Sequence, residues 1–435
     1  MKTLDKAIEE AQARFTSANP NSHEANDRAA RYLPGGNTRA VLYFDPFPLT
    51  MVEGDGAELV DLDGHRYVDF VGEYSAGLFG HTPDAIKATI REALESGLVM
   101  GAPNEYERTL AGLLCERFPS LDQVRFCNSG TEANLMAIAT ARAATGRDKI
   151  LAFKDAYHGS VLKFPGGHFK LNAPYDFVLA DFNDVDGTAQ AISDAGDDLA
   201  AVIVEPVLGA GGNIPGTREF HNLLRERTEA TGAMLIFDEV KTSRIGPAGI
   251  QGMLGITPDL TTLGKYIAGG LPIGAFGGRA DIMSHFDPSR PGYWDHAGTF
   301  NNDVCSMAAG CTALGDIYTP ERAAEFYDWS EAFRLSLNEM FAEKGVPMHA
   351  NGIASMIAIH FATEPTRTPA DITAGCQSLR PLLHMEMLNE GVLICKRGDL
   401  FLSLPMDESH LSKACNALGD FADRYKPLIE QVIAN

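Results

Sequence analysis

Apolar residues at Leu4, Ala7, Ile8, Ala11 and Phe15 recur at helical spacing with charge between them, so the chain opens on an amphipathic helix over residues 3–17. Asn19-Pro20-Asn21-Ser22 reads as its stop, and Pro34-Gly35-Gly36-Asn37-Thr38-Arg39 as a loop. The period then shortens. Residues 50–53, 58–62 and 66–70 are strand-like runs split by Gly54, Gly56 and Asp63-Gly64, the last pair a hairpin signal, and together they predict a small antiparallel sheet. From about residue 82 the texture changes to helices at 83–97, 105–118 and 130–145, alternating with strands at 123–127, 149–153, 177–179, 200–204 and 234–237. Such alternation implies an α/β fold whose mostly parallel sheet is covered on both faces by helices. After residue 320 the pattern predicts a helix over 320–344, strands at 355–361 and 400–404, and two more helices. The expected division is a small α+β domain built from both termini, residues 1–75 and 323–435, around a large domain at 76–322.

Composition narrows the function classes. The 435 residues are 45% hydrophobic, 22% charged and 9% aromatic, an ordinary globular balance in a chain too long for one core. A net charge of −22 with no Lys/Arg stripe argues against nucleic-acid and anionic-membrane partners. An anionic substrate would need arginines placed for it. The seven cysteines, Cys115, Cys127, Cys305, Cys311, Cys376, Cys395 and Cys415, are scattered without a C-x-x-C. That spacing suits a reducing compartment and no metal site. Residues 1–10 are charged and lack the apolar centre of a signal peptide, and no uninterrupted apolar run reaches the ~18 residues of a membrane span. The expectation is a soluble cytoplasmic protein.

Several segments carry chemistry. Met234-Leu235-Ile236-Phe237 reads as a buried strand ending on Asp238-Glu239, and Lys265 comes later in Leu263-Gly264-Lys265-Tyr266 before Gly269-Gly270. A lysine in a glycine-rich loop and a strand-end carboxylate are what pyridoxal phosphate (PLP) chemistry requires: an amine to take the aldehyde, and an acid to keep the ring nitrogen protonated. Asn128-Ser129-Gly130-Thr131-Glu132-Ala133-Asn134 succeeds a strand and opens a helix, which suits a phosphate and equally suits an ordinary N-cap. Tyr157-His158-Gly159 and Glu205-Pro206 also lie just past strands, where side chains enter the crevice of a parallel sheet. Tyr157 fits either ring stacking or plain packing, and Val240 either the opposite face of a cofactor ring or the core. Ala297-Gly298-Thr299-Phe300-Asn301-Asn302 is a polar turn.

Together these segments resemble the class III, ornithine-aminotransferase-like PLP enzymes of fold type I, over nearly the whole chain from Tyr32 onward. The resemblance implies that Lys265 carries the cofactor and then moves a proton, and that Asp238 pairs the ring nitrogen. It further implies that Ser129, Gly130 and Thr131 hold the phosphate, that Tyr157 and Val240 sandwich the ring, and that His158 and Glu205 belong to the cofactor site. Thr299 would reach the phosphate of a neighbouring subunit, making a homodimer with a shared active site. Residues 261–278 are similar to glutamate-1-semialdehyde aminomutases, but Gly36-Asn37-Thr38-Arg39 is two residues shorter between Asn and Arg than in that group. Cys395-Lys396-Arg397-Gly398-Asp399-Leu400 departs from it too. Both departures, and Pro46-Phe47-Pro48-Leu49-Thr50, are similar to bacterial β-amino acid aminotransferases. By that likeness Arg39 binds the carboxylate of an aromatic β-amino acid and Arg397 that of the keto acid, 2-oxoglutarate or pyruvate, in a ping-pong cycle. The alternatives are the aminomutase reaction and a non-catalytic protein of the same fold, the latter opposed by the intact Lys265 and Asp238.

Overall fold

The computed structural model describes residues 3–434; residues 1, 2 and 435, the ends of the expected domain division, lie outside the described residues. The chain divides into a smaller unit, Met1–Pro83 with Ser330–Thr366 and Ala370–Asn435, and a larger one, Asp84–Trp329 with Arg367–Pro369.

In the smaller unit the first helix spans Leu4–Ala18, started by Thr3, whose hydroxyl accepts the N–H of Lys6. Its buried stripe is Ala7, Ala11 and Phe15. The expected stop at Asn19-Pro20 is a corner instead, because a second helix begins at once, Pro20–Ala29. Proline suits the first helical position, where its missing N–H has no intrahelical partner in any case. Asn19 is buried, and its amide donates to the carbonyl of Phe15 at 2.8 Å, closing the first helix as the second opens. Strands β1 (Met51–Asp55), β2 (Glu58–Asp61) and β3 (Arg66–Asp69) pair antiparallel as the alternation predicted.

The larger unit is built on a sheet of seven strands. In chain order these are β4 (Gln123–Cys127), β5 (Lys149–Phe153), β6 (Asp176–Ala180), β7 (Leu199–Val204), β10 (Met234–Asp238), β11 (Leu260–Gly264) and β12 (Gly274–Gly278). Across the sheet they lie in the order β4-β12-β11-β10-β7-β5-β6. β8 (Val207–Leu208) and β9 (Ile214–Pro215) form a separate two-stranded antiparallel ribbon. Only β12 runs against the rest, antiparallel to both β11 and β4. Every residue of β7, Leu-Ala-Ala-Val-Ile-Val, is buried, as a strand covered on both faces must be. β12 was not expected from sequence, since glycine is depleted from strands. Its glycine is a spatial requirement: a Cβ on Gly274 would lie 2.1 Å from the carbonyl oxygen of Ser129.

The C-terminal part of the smaller unit adds β13 (His349–Ile353), β14 (Met356–His360), β15 (Val392–Leu393) and β16 (Asp399–Phe401). β13, β14 and β16 form one sheet, while β15 joins β3 in parallel, so both ends of the chain complete one small α+β body. No helix among the described residues is long and apolar enough to cross a membrane.

Candidate active site

All strands of the large sheet except β12 point the same way, so the residues at and just beyond their C-terminal ends gather at one edge. Ser129 comes just past β4, Tyr157 past β5, Glu205 past β7 and Lys265 past β11, while Asp238 ends β10. This is the edge at which open α/β sheets bind ligands.

Asp238 is the most constrained of these groups. It is buried, its Oδ2 accepts the Asn134 amide at 2.8 Å and lies 2.7 Å from His158 Nδ1, and its Oδ1 accepts the N–H of Val240 at 3.0 Å. Asn134 is fully engaged as well. It also donates to the carbonyl of His158 at 2.9 Å and accepts from the Thr262 hydroxyl at 2.6 Å. A single carboxamide thus ties the helix Gly130–Thr145 to β10, β11 and the loop after β5. The outer nitrogen of His158, Nε2, is buried and has no hydrogen-bond partner among the described residues.

Lys265 takes φ of +57°, the left-handed region that non-glycine residues seldom adopt, at the start of a turn over Lys265–Ala268. Burial lowers the pKa of its amine, and the opposing pull of Asp238 and Glu205 does not restore it. Glu205 is itself buried, and desolvation raises its pKa. Its two oxygens accept the N–H groups of Tyr157 at 2.9 Å and Gly209 at 3.1 Å, so it fixes the loop that presents Tyr157. Tyr157 is 44% exposed and therefore not a core residue.

Ser129 caps the 16-residue helix Gly130–Thr145, its hydroxyl accepting the N–H of Glu132 at 3.2 Å. The ordinary cap is thus present, at an end that carries the helix's positive dipole. Two close approaches shape this end. A Cβ on Gly130 would come within 2.8 Å of Val240 Cγ1, and one on Gly159, at φ +130°, within 2.4 Å of the Thr131 hydroxyl. The loop after β5 also donates the N–H of Ser160 to that hydroxyl at 3.3 Å. Thr299 stands apart: it is exposed on a loop held by Asn301, whose side chain accepts from Asn128 at 3.0 Å. Among the described residues no hydrogen bond joins Thr299 to the helix start.

Glu239, beside Asp238, has a different job. Its carboxylate accepts the N–H groups of Ile250 and Gln251, both at 2.9 Å, and the Thr242 hydroxyl at 2.9 Å, anchoring the chain after β10.

Arg39 and Arg397 belong to the smaller unit. Arg39 pairs with the exposed Glu73 and lies over the ring of Tyr74, 5.5 Å from its centroid. Arg397 points Nε and Nη2 at one oxygen of the buried Asp399, at 3.2 and 2.9 Å. Both arginines thus have local acids, one displaceable and one built into β16.

The residues of the larger unit fit a phosphorylated pyridine aldehyde on their own geometry. There is a buried carboxylate held by the Asn134 amide and the Val240 N–H with His158 beside it, an amine whose pKa burial lowers, and a helix start at which added carbon would collide. Sequence reasoning missed Asn134 and Thr262 as members of this network, although both stand inside the segments it singled out.

Comparison with known proteins agrees with that chemistry. The family model Aminotransferase class-III matches residues 43–165 and 168–420. The chain is 46% identical over 426 residues to the β-phenylalanine transaminase of Variovorax paradoxus, covering 98% of each. It is 38% identical over 417 residues to a glutamate-1-semialdehyde 2,1-aminomutase of Macrococcus caseolyticus, covering 91% of this chain and 97% of the relative. The crystal structure of the Variovorax β-phenylalanine aminotransferase superposes with a TM-score of 0.96, at 45% identity, over 98% of this chain and 99% of that one. The chain belongs to the class III aminotransferases.

Proposed function

With class III membership as the premise, we propose that this PLP-dependent aminotransferase takes the amino group of an aromatic β-amino acid such as β-phenylalanine and passes it to 2-oxoglutarate or pyruvate in a ping-pong cycle. The observation that carries the aminotransfer is the pair formed by Lys265, buried so that its pKa is lowered, and Asp238, clamped at the same sheet edge. Likeness to a β-phenylalanine transaminase over the full chain supports the donor class, as do the short Asn37-Thr38-Arg39 loop and the Lys396-Arg397 segment.

PLP, when bound, supplies an aldehyde that condenses with amines and a ring that accepts electrons. The chain's residues do the rest. Lys265 Nζ would hold the cofactor at rest and then carry a proton to and from the substrate carbon, a task eased by the lowering of its pKa on burial. Asp238 would keep the ring nitrogen protonated, while Asn134 and His158 keep Asp238 in place. Ser129, Gly130 and Thr131 would receive the phosphate at the helix start. Tyr157 and Val240 would take the two faces of the ring, and Glu205 fixes the Tyr157 loop. Arg39 takes the carboxylate of the β-amino acid and Arg397 that of the keto acid.

The functional form is a homodimer in which Thr299 serves the neighbouring subunit's phosphate. Its exposed loop supports this, as do Val99 and Phe300 in the same unit, 80% and 61% exposed.

The test is a half-reaction. Yellow holoenzyme mixed with β-phenylalanine alone should lose its cofactor absorbance and regain it on addition of 2-oxoglutarate. An enzyme that ignores β-phenylalanine but turns over glutamate-1-semialdehyde without a keto acid is an aminomutase, the second reading, which the 38% identical relative keeps open.

A further inference from the structure

Three loops of the smaller unit meet around one phenol. The first carries Arg39, whose backbone N–H donates to the Asn37 side chain at 2.9 Å. The second runs through Gly72, Glu73, Tyr74 and Ser75, with φ of 47°, 48°, 55° and 79°. Four successive left-handed residues, three of them with side chains, form a turn that L-residues avoid unless their surroundings force it. Here they do. The buried carboxylate of Asp69 accepts the N–H groups of Val71 and Gly72 at 2.8 and 3.0 Å, and the N–H of Gly77 closes on the carbonyl of Gly72 at 2.8 Å. The third loop carries Arg397, and its neighbour Lys396 donates to the carbonyl of Tyr43 at 2.8 Å.

What the strained turn presents is Tyr74. Its hydroxyl donates to the carbonyl of Val41 at 2.9 Å, two residues past Arg39, and its ring face seats the Arg39 guanidinium at 5.5 Å. Burial suppresses ionisation of the phenol, and both Arg397 and Arg39 act on it electrostatically. The two arginines differ in what else restrains them. Arg397 is pinned to buried Asp399, whereas the carboxylate holding Arg39, Glu73, is 59% exposed and replaceable by another anion. Tyr74, carried on the strained turn, is therefore a fixed restraint on Arg39 where Glu73 is not. Without it, the Arg39 guanidinium would leave its place once an anion displaced Glu73, and would grip the donor's carboxylate less well.

We propose that Tyr74 is a positioning residue that holds the Arg39 guanidinium in place for the donor's carboxylate. The inference rests on the proposed role of Arg39 as the donor's carboxylate binder.

The experiment compares holoenzyme kinetics on β-phenylalanine and on 1-phenylethylamine, which lacks the carboxylate. Tyr74→Leu should raise KM for β-phenylalanine about three- to tenfold, the size of a partly exposed cation–π contact, with kcat little changed and 1-phenylethylamine unaffected. Tyr74→Phe, which keeps the ring face, should recover most of the loss. Equal change on both donors, or none on either, overturns the proposal. If the leucine variant does not fold, Tyr74→Met fills the space without a π face and gives the same comparison. Arg39→Ala run in parallel separates the two layers. If it leaves the preference for the carboxylate-bearing donor intact, the role of Arg39 fails. If it removes that preference while Tyr74→Leu does not touch it, only the present inference fails. In the Arg39→Ala background, Tyr74→Leu should add nothing.

Discussion

An amine facing two carboxylates would ordinarily hold its proton tightly; Lys265 does not, because the desolvation of its site outweighs the attraction of Asp238 and Glu205. Its folded pKa lies below the usual lysine value, so the free base gains population as pH rises through that lowered value, and the rate of amine exchange should climb with it. Lys265→Ala should abolish turnover while the cofactor remains bound non-covalently, checked by activity and absorbance together. Asp238→Asn should cost at least about a hundredfold in kcat, since the ring nitrogen loses the charge that keeps it protonated; a normal rate would mean that another acid serves the ring. Lys265 and Asp238 were visible in sequence because each interrupts an apolar run. Asn134 was not, for its partner Thr262 lies 128 residues away and only the fold joins them. Asn134→Leu strips buried hydrogen bonds from Asp238, Thr262 and the His158 carbonyl at once. It should therefore loosen cofactor binding about tenfold or more, measured as PLP dissociation; unchanged retention would make the network ornamental.

At the scale of elements, the helix Gly130–Thr145 and the loop after β5 work as one piece because Gly159 has no side chain. Gly159→Ala would set a Cβ against Thr131 at 2.4 Å in a backbone conformation alanine resists, so the loop must withdraw from the helix start. PLP affinity should fall by about tenfold or more while the melting temperature moves little, because loop tips carry less of the global stability than core strands do. Gly112→Ala is the contrast: helical, with nothing near the added carbon, it should stabilise by about 0.5–1 kcal/mol and leave the cofactor alone. The elements legible in sequence were those whose burial keeps a simple period. β4 and β5 match the expected bounds, and the helix Pro320–Lys344 does too. The helix Pro20–Ala29 and β12 were missed for opposite reasons: proline at a helix start looks like a stop, and glycines needed for close packing look like a loop.

For the whole molecule, pH acts through two opposing routes. Acidification lowers the net charge of −22 in magnitude and eases self-repulsion, which favours the folded state. Buried histidines work the other way. His384, on the helix Ala374–Asn389 of the smaller unit, packs edge-on to Phe44 at 4.6 Å, and burial pushes its pKa down to about 3. His221 of the larger unit, with Nδ1 2.9 Å from the carbonyl of Thr217, is pushed down to about 4 for the same reason. In the unfolded chain each takes up a proton near pH 6.5. Their folded pKa values are depressed, so the stability they contribute is whole above about pH 6.5 and is lost as pH falls toward 3 or 4. For each, the loss between pH 7 and pH 5 is about 2 kcal/mol, set by protonation of the unfolded state alone. His384→Phe keeps an aromatic ring of similar volume against Phe44 and removes the titration. Its urea midpoint for the smaller unit should fall less than the wild type's between pH 7 and pH 5. An equal fall in both proteins would mean that His384 takes up its proton without leaving the fold, and that acid lability lies with the carboxylates.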